Sequence, residues 1–198
     1  MKLEFNTKNN REIIFRGHTV MSRAEQPYLL TLIGLLAGKG IESVLEVGYG
    51  LGISSHLIQE ILQPRAHHIV EIEQSILSDC REFCSHHTGA LSIAGDYSEA
   101  AYPRQYDLLF FDPYDYELAL YRVGERESYT REFNREVILA QRVLHPGGYL
   151  CHTLFGDCPP PELAGFRLHD FGLFTGTRIV TGLKQECSQA RLGYYMKD

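Results

Sequence analysis

An apolar run gives way to alternating glycines at Val44-Leu45-Glu46-Val47-Gly48-Tyr49-Gly50-Leu51-Gly52, and a helix-forming stretch begins at once with Ile53. Few arrangements accommodate that order. A buried strand must end in a loop whose backbone turns tightly and lets a ligand come close, because glycine carries no Cβ to obstruct either. The spacing is G-x-G-x-G. It is not the G-x-G-x-x-G that places a dinucleotide pyrophosphate on a helix N-terminus.

The rest of the chain repeats the same rhythm. Ser43 to Val47 reads as a buried strand, and Ile53 to Leu62 as a helix stopped by Pro64. His68 to Ile72 is a second strand, Gln74 to His87 a helix, and Leu91 to Ala94 a third strand. Tyr106 to Asp112 is a fourth strand. Ser128 to Leu144 is a long helix closed by Pro146-Gly147-Gly148, and Tyr149 to Leu154 is a fifth strand. Strand–helix alternation predicts a Rossmann-like, doubly wound, mostly parallel sheet with helices on both faces. The tail differs: Phe166 to Phe171, Arg178 to Leu183 and Leu192 to Met196 read as strands with glycine turns and no room for helices, hence an antiparallel C-terminal edge. Before all this, Ser22 opens a helix through Leu29, Leu30 and Leu36, stopped by Gly38 and Gly40. Residues 1–21 are polar and mixed and read as an N-terminal arm or lid; residues 22–198 form a single domain, long enough for a substantial core.

Charge excludes some partners. The 19 basic residues against 25 acidic ones leave a net charge of −6, which argues against a nucleic-acid partner, since that would call for a basic face. No apolar run is long enough to span a membrane, and Met1 to Phe5 carry no apolar secretory segment. The five cysteines include no C-x-x-C, so reduced thiols and a cytoplasmic location are expected. His67-His68 and His86-His87 are adjacent pairs that do not share a face, so no metal site is expected. A homodimer is left open.

Ligands of open parallel sheets bind beyond the carboxyl ends of the strands. Glu71 ends the second strand 19 residues after Gly52, where a carboxylate accepts both hydroxyls of a ribose. Asp96, after the third strand, is placed to receive an adenine amino group, with Tyr97 beside the ring. Glu46 sits beneath the loop and is a candidate for holding an ammonium. Strand ends, glycine loop and ribose acid together fit S-adenosyl-L-methionine better than NAD. Asp112 closes the fourth strand and would face the sulfonium methyl, where a carboxylate orients a nitrogen donor and takes its proton.

These blocks resemble the guanidinoacetate N-methyltransferase family. The likeness runs through Val20-Met21-Ser22-Arg23-Ala24-Glu25-Gln26-Pro27-Tyr28, the Val44–Gly50 segment, Ile69-Val70-Glu71, Tyr106 to Asp112, Tyr129 to Asn134 and Leu144 to Gly148. The glycine loop is shared by all methyltransferases of this class; Glu25-x-Pro27-Tyr28 is more specific. The resemblance implies a methyltransferase that uses S-adenosyl-L-methionine to methylate a nitrogen of a small guanidino or amine compound. It implies catalytic carboxylates at Glu25 and Asp112. Cofactor contacts would fall on Met21, Leu29, Gly48, Gly50, Glu71, Ile72, Asp96 and Tyr97, to which the loop itself adds Gly52, and substrate contacts on Tyr114, Thr130, Gly156 and Asp157. A guanidinium is a cationic fork that two carboxylates can grip through paired, charge-assisted hydrogen bonds.

The family receives its substrate's carboxylate at a Thr-Ser pair, where this chain has Gly156-Asp157, and Asp157 would repel that group. Other families share some of these residues. Asp112-x-x-Asp115 also resembles the paired acids of aminopropyltransferases such as spermidine synthase, but the glycine-aspartate loop and N-terminal hairpin domain of those enzymes are missing. Asp112-Pro113-Tyr114 resembles a Asp-Pro-Pro-Tyr motif lacking its second proline. A catalytically silent, cofactor-binding scaffold would not need both acids.

Overall fold

The computed structural model describes residues 5–15, 18–113, 126–155, 160–180 and 186–198. Strands β1 (Phe5–Lys8), β2 (Glu12–Phe15) and β3 (His18–Ser22) make a small antiparallel sheet. Asn9 turns the chain between the first two, its side chain accepting from the Arg11 and Glu12 amides at 2.8 and 3.0 Å. A single 3₁₀ turn, Arg23–Glu25, leads into α1 (Gln26–Gly34). Then follow β4 (Ser43–Val47), α2 (Ile53–Ile61), β5 (Ala66–Glu71), α3 (Gln74–His86), β6 (Ala90–Ala94) and β7 (Tyr106–Phe111). The chain ends with α4 (Arg126–Val143), β8 (Leu144–His152), β9 (Leu154–Phe155), β10 (Phe166–Val180) and β11 (Glu186–Lys197).

The large sheet runs β10-β11-β8-β7-β4-β5-β6, with β9 paired to β11. The strands from β6 across to β8 are parallel, and β11 lies antiparallel to both β8 and β10. Every position of β4 and of β5 is buried, the mark of central parallel strands covered on both faces. Side-chain alternation then sorts the core into layers. Val44, Leu108 and Phe110 pack with Leu32, Ile33, Leu57 and Ile58 of α1 and α2; Leu45, Val47, Leu109 and Phe111 pack with Leu139, Ala140 and Val143 of α4. The doubly wound, mostly parallel sheet with an antiparallel edge is therefore present.

Three details differ from the sequence reading. Residues expected as an arm or lid instead form a sheet: Ile13 of β2 is fully buried with Tyr49, Ile69, Ile76, Cys80 and Phe83, and Lys8 reaches α3 through the Ser75 carbonyl (2.8 Å) and Asp79 (2.7 Å). Pro146-Gly147-Gly148, expected to lie between helix and strand, falls inside β8. Leu144 already pairs with Tyr106, and the register with β7 slips before Tyr149 meets Leu108, so the extra residues bulge out between the two pairs. The tail forms two long strands, not three short ones, because Phe166 and Ile179 belong to one strand that passes through register shifts near Gly172 and Gly176. Leu183 lies outside the described residues.

No helix of the described residues is long and apolar enough to cross a membrane. The adjacent histidines point to opposite faces: His67 contacts Glu46 at 2.9 Å, whereas His68 Nδ1 meets the Tyr106 hydroxyl at 2.6 Å. Among the described residues no cluster of histidine, cysteine and carboxylate side chains is arranged to hold a metal. Cys80, Cys84 and Cys151 are free thiols.

Candidate active site

The glycine loop leaves β4 with positive φ at Gly48 (89°), Gly50 (54°) and Gly52 (70°). Neighbours crowd the loop as well, with backbone at Gly48 and with a side chain at Gly50. A Cβ at Gly48 would lie 2.9 Å from the Asp112 carbonyl oxygen, and one at Gly50 would lie 2.5 Å from the Met21 sulfur. The loop thus packs directly on the segment that carries Asp112. Met21, on β3, seats its sulfur on the loop and accepts from the Leu51 amide at 3.0 Å. A cleft of about 340 Å³ lined by Lys8, Arg23, Tyr49, Gly50, Leu51 and Asp79 opens where the N-terminal sheet meets the loop.

Glu71, at the end of β5, is buried beside it. Its two oxygens accept from the Tyr49 amide (3.0 Å) and the Glu73 amide (2.7 Å), which fix the carboxylate against the loop. Ile72 next to it is 53% exposed, an apolar platform at the strand end. Asp96 caps a turn through Ser98, accepting from its amide and its hydroxyl, and remains exposed. Tyr97 packs edge-on against Phe111. Gly48, Gly50, Glu71, Ile72, Asp96 and Tyr97 thus gather along the carboxyl ends of β4, β5 and β6, with Met21 joining from β3.

Two expected cofactor contacts stand apart from this set. Leu29 is fully buried in the core between α1 and the sheet and presents no surface. Glu46 is also fully enclosed: its oxygens accept from Ser54, from Ser55 at 2.7 Å and from His67 at 2.9 Å, and His67 is braced in turn by Gln59 at 3.0 Å. The Glu46 side chain ties β4 to the first turn of α2 and to β5; it supports the loop from below and offers no free oxygen to an ammonium.

The candidate acids come together from distant parts of the chain. Glu25 ends the 3₁₀ turn and is buried. One of its oxygens accepts from the Ser22 amide at 2.9 Å, while the Ser22 hydroxyl accepts from the Ala24 amide at 3.2 Å, a capping box. Asp112 follows β7 and is half-buried; one oxygen accepts from the Thr153 hydroxyl at 2.5 Å. Among the described residues, the second oxygen of each acid has no partner. Burial, and then the charge of Asp112, push the Glu25 carboxyl up to about 8. Burial pushes Asp112 up to about 6, against the pull of the Thr153 hydrogen bond and of His152. Asp112 is thus near enough for its charge to act on Glu25, and a cation beside them would offset that repulsion.

Behind Asp112 lies a layer that sequence reasoning missed. His152 Nδ1 is 2.8 Å from a carboxylate oxygen of the fully buried Glu136 on α4, and the His152 ring stacks on Phe111. The available signal was positional: Asp112 and Thr153 both stand one residue beyond the paired Phe111 and His152. Of the expected substrate contacts, Tyr114, Gly156 and Asp157 lie outside the described residues; Thr130 lies within α4, but its side chain is outside them.

This topology, with a glycine loop between β4 and α2 and an acid ending β5, defines the class of S-adenosyl-L-methionine-dependent methyltransferases. Within it, the family model for guanidinoacetate N-methyltransferase matches residues 2–158. The chain belongs to that family. It is 26% identical over 154 residues to the malonyl-[acyl-carrier protein] O-methyltransferase of Calditerrivibrio nitroreducens, covering 76% of this chain and 55% of that one, so it spans about half the length of this curated relative. The fold is similar to that of the N-methyltransferase NodS from Bradyrhizobium japonicum, solved with S-adenosyl-L-homocysteine (TM-score 0.60, 11% identity, 88% of each chain). It is also similar to the YcgJ protein of Bacillus subtilis (TM-score 0.57, 12% identity, 86% of this chain and 98% of that one). The family's cofactor is S-adenosyl-L-methionine, and the residues present suit its chemistry: a fixed carboxylate for a ribose diol at Glu71, an exposed apolar face at Ile72 for a purine, and an acceptor at Asp96 for an amino group.

Proposed function

We propose that this protein methylates a nitrogen of a small guanidino or amine compound, with Glu25 and Asp112 as the groups that hold the acceptor. The observation that carries the reading is the pair of acids itself: a buried Glu25 and a half-buried Asp112, each with one oxygen tied to the protein and one left over. Bound beside the glycine loop, S-adenosyl-L-methionine would supply an electrophilic methyl group. Glu25 and Asp112 bind the cationic acceptor through paired charge-assisted hydrogen bonds and turn one nitrogen toward that methyl. A guanidinium is a poor nucleophile because its lone pairs are delocalised and its pKa exceeds about 12. Carboxylates that localise one lone pair and accept the departing proton correct both defects. Asp112, held near 6 and anchored by Thr153, is the proton acceptor; Glu25 is the orienting partner.

Asp157 stands where the family receives a carboxylate, so the preferred acceptor is a guanidine or amine without a nearby carboxylate. The test is a methylation screen with labelled cofactor over guanidinoacetate, arginine, agmatine, other guanidines and simple amines. Agmatine-like compounds are expected to outrank guanidinoacetate in kcat/KM. Highest kcat/KM for guanidinoacetate would overturn the substrate preference, and transfer only to oxygen acceptors would overturn the whole reading.

A further inference from the structure

Asp112 is held by a residue to which neither the family likeness nor the sequence drew attention. β7 and β8 run parallel, with Phe111 beside His152 in register. One step beyond that last pair, both strands release a polar side chain, and the Thr153 hydroxyl donates to Asp112 at 2.5 Å. Thr153 is itself 8% exposed, so water competes poorly for the bond. The end of β8 is pinned from the other side. His152 stacks on Phe111 and pairs at 2.8 Å with Glu136, which α4 buries completely. Thr153 therefore has little freedom to follow Asp112 if the carboxylate rotates.

We propose that Thr153 is a positioning residue for methyl transfer, fixing one oxygen of Asp112 so that the other is the one presented to the acceptor nitrogen. This rests on the reading that Asp112 receives the acceptor. The bond also favours the ionised carboxylate, since a hydroxyl donates to a charged oxygen more strongly than to a neutral one. The charged and titratable groups around Asp112 are Glu25 from the 3₁₀ turn, Glu46 from β4, Cys151 and His152 from β8, and Glu136 from α4 beyond His152. Thr153 is the group that bonds to it directly.

The experiment is a carbon-13 NMR titration of full-length protein labelled at aspartate, with the Asp112 resonance assigned through Asp112→Asn. Guanidinium ion at millimolar concentration is the probe. In Thr153→Val, which keeps the shape and removes the donor, the Asp112 midpoint should rise by about half a pH unit or more. At neutral pH guanidinium binding should weaken by about threefold or more. Thr153→Ser should restore both, and thermal midpoints of the variants should stay close together. Thr153→Ala serves if the valine variant does not fold. An Asp112 midpoint that does not move in either variant overturns the positioning role, even where guanidinium still binds. Guanidinium that leaves the Asp112 resonance of the wild-type protein untouched overturns the cation reading instead.

Discussion

At Glu25, two roles that look exclusive in sequence are both met by one side chain. Ser22-x-x-Glu25 spells a capping box, and the box forms: one Glu25 oxygen caps the Ser22 amide. The carboxyl also feels the charge of Asp112. Glutamine can still accept the capping bond, so Glu25→Gln should match wild-type stability to within about 0.5 kcal/mol below about pH 4.5 and exceed it as pH rises. It cannot carry charge, so methyl transfer should collapse while thermal stability holds; wild-type kcat and KM in this variant would reduce Glu25 to a cap. The raised carboxyls add a pH prediction. A buried acid whose folded pKa lies above its ordinary value binds more protons folded than unfolded, so stability is greatest at low pH and falls as pH rises from about 4.5 toward about 8. Glu25→Gln should flatten that decline in thermal melts across this window. A cationic acceptor binds the deprotonated pair, so between about pH 6 and about 8 its affinity should rise by up to about tenfold per unit. Calorimetry in buffers of different ionisation enthalpy should show proton release below that pH; an affinity that is flat from pH 6 to 8 would count against the shared enclosure.

Elements declared themselves to the degree that burial dictated their residues. β4, β5 and β7 are central strands, and a strand covered on both faces is written in continuous apolar residues, so Ser43 to Val47 and Tyr106 to Phe111 are legible from the sequence. The N-terminal sheet is not, because its strands are mostly polar and reach the core chiefly through Ile13 and Met21. Thr153 was equally hidden, since its contact with Asp112 arises from the register of two strands 41 residues apart in sequence. Leu29 and Glu46 show the opposite case: likeness to a family assigns Leu29 to the cofactor and a place beneath the loop offers Glu46 to an ammonium, whereas burial puts one in the core and the other in a Ser54-Ser55-His67 network. The glycine loop is where sequence and packing agree most closely. Gly48→Ala adds a Cβ 2.9 Å from the Asp112 carbonyl at a φ of +89°, so the loop and the Asp112 segment must separate. Cofactor affinity and turnover should fall together, with a stability loss of about 1 kcal/mol or more; calorimetry showing normal cofactor binding would mean that the two segments move independently.

For the whole molecule, the N-terminal sheet links the glycine loop to α3. Ile13→Ala removes the side chain that seals this joint and should cost about 2–5 kcal/mol. The same change loosens Met21 on the loop, so the stabilisation given by saturating S-adenosyl-L-methionine, about 2.7 kcal/mol at a hundred times Kd, should shrink as Kd rises. Thermal melts with and without cofactor report both effects; an unchanged cofactor-induced shift in Ile13→Ala would separate the sheet from the loop.

The position of β11 has a temporal consequence. This strand is the last in sequence, yet it lies between β8 and β10, and its Arg191 carbonyl accepts from the hydroxyl of the fully buried Tyr28 at 2.9 Å. Tyr28 sits three residues after Glu25. As a ribosome releases this chain, the parallel strands from β4 to β8 can pair before β11 has emerged, whereas the Tyr28–Arg191 hydrogen bond waits for β11. The 3₁₀ turn that carries Glu25 is thus tied, through α1, to a strand made well after the parallel strands, so a nascent chain gains this anchor only once β11 has docked.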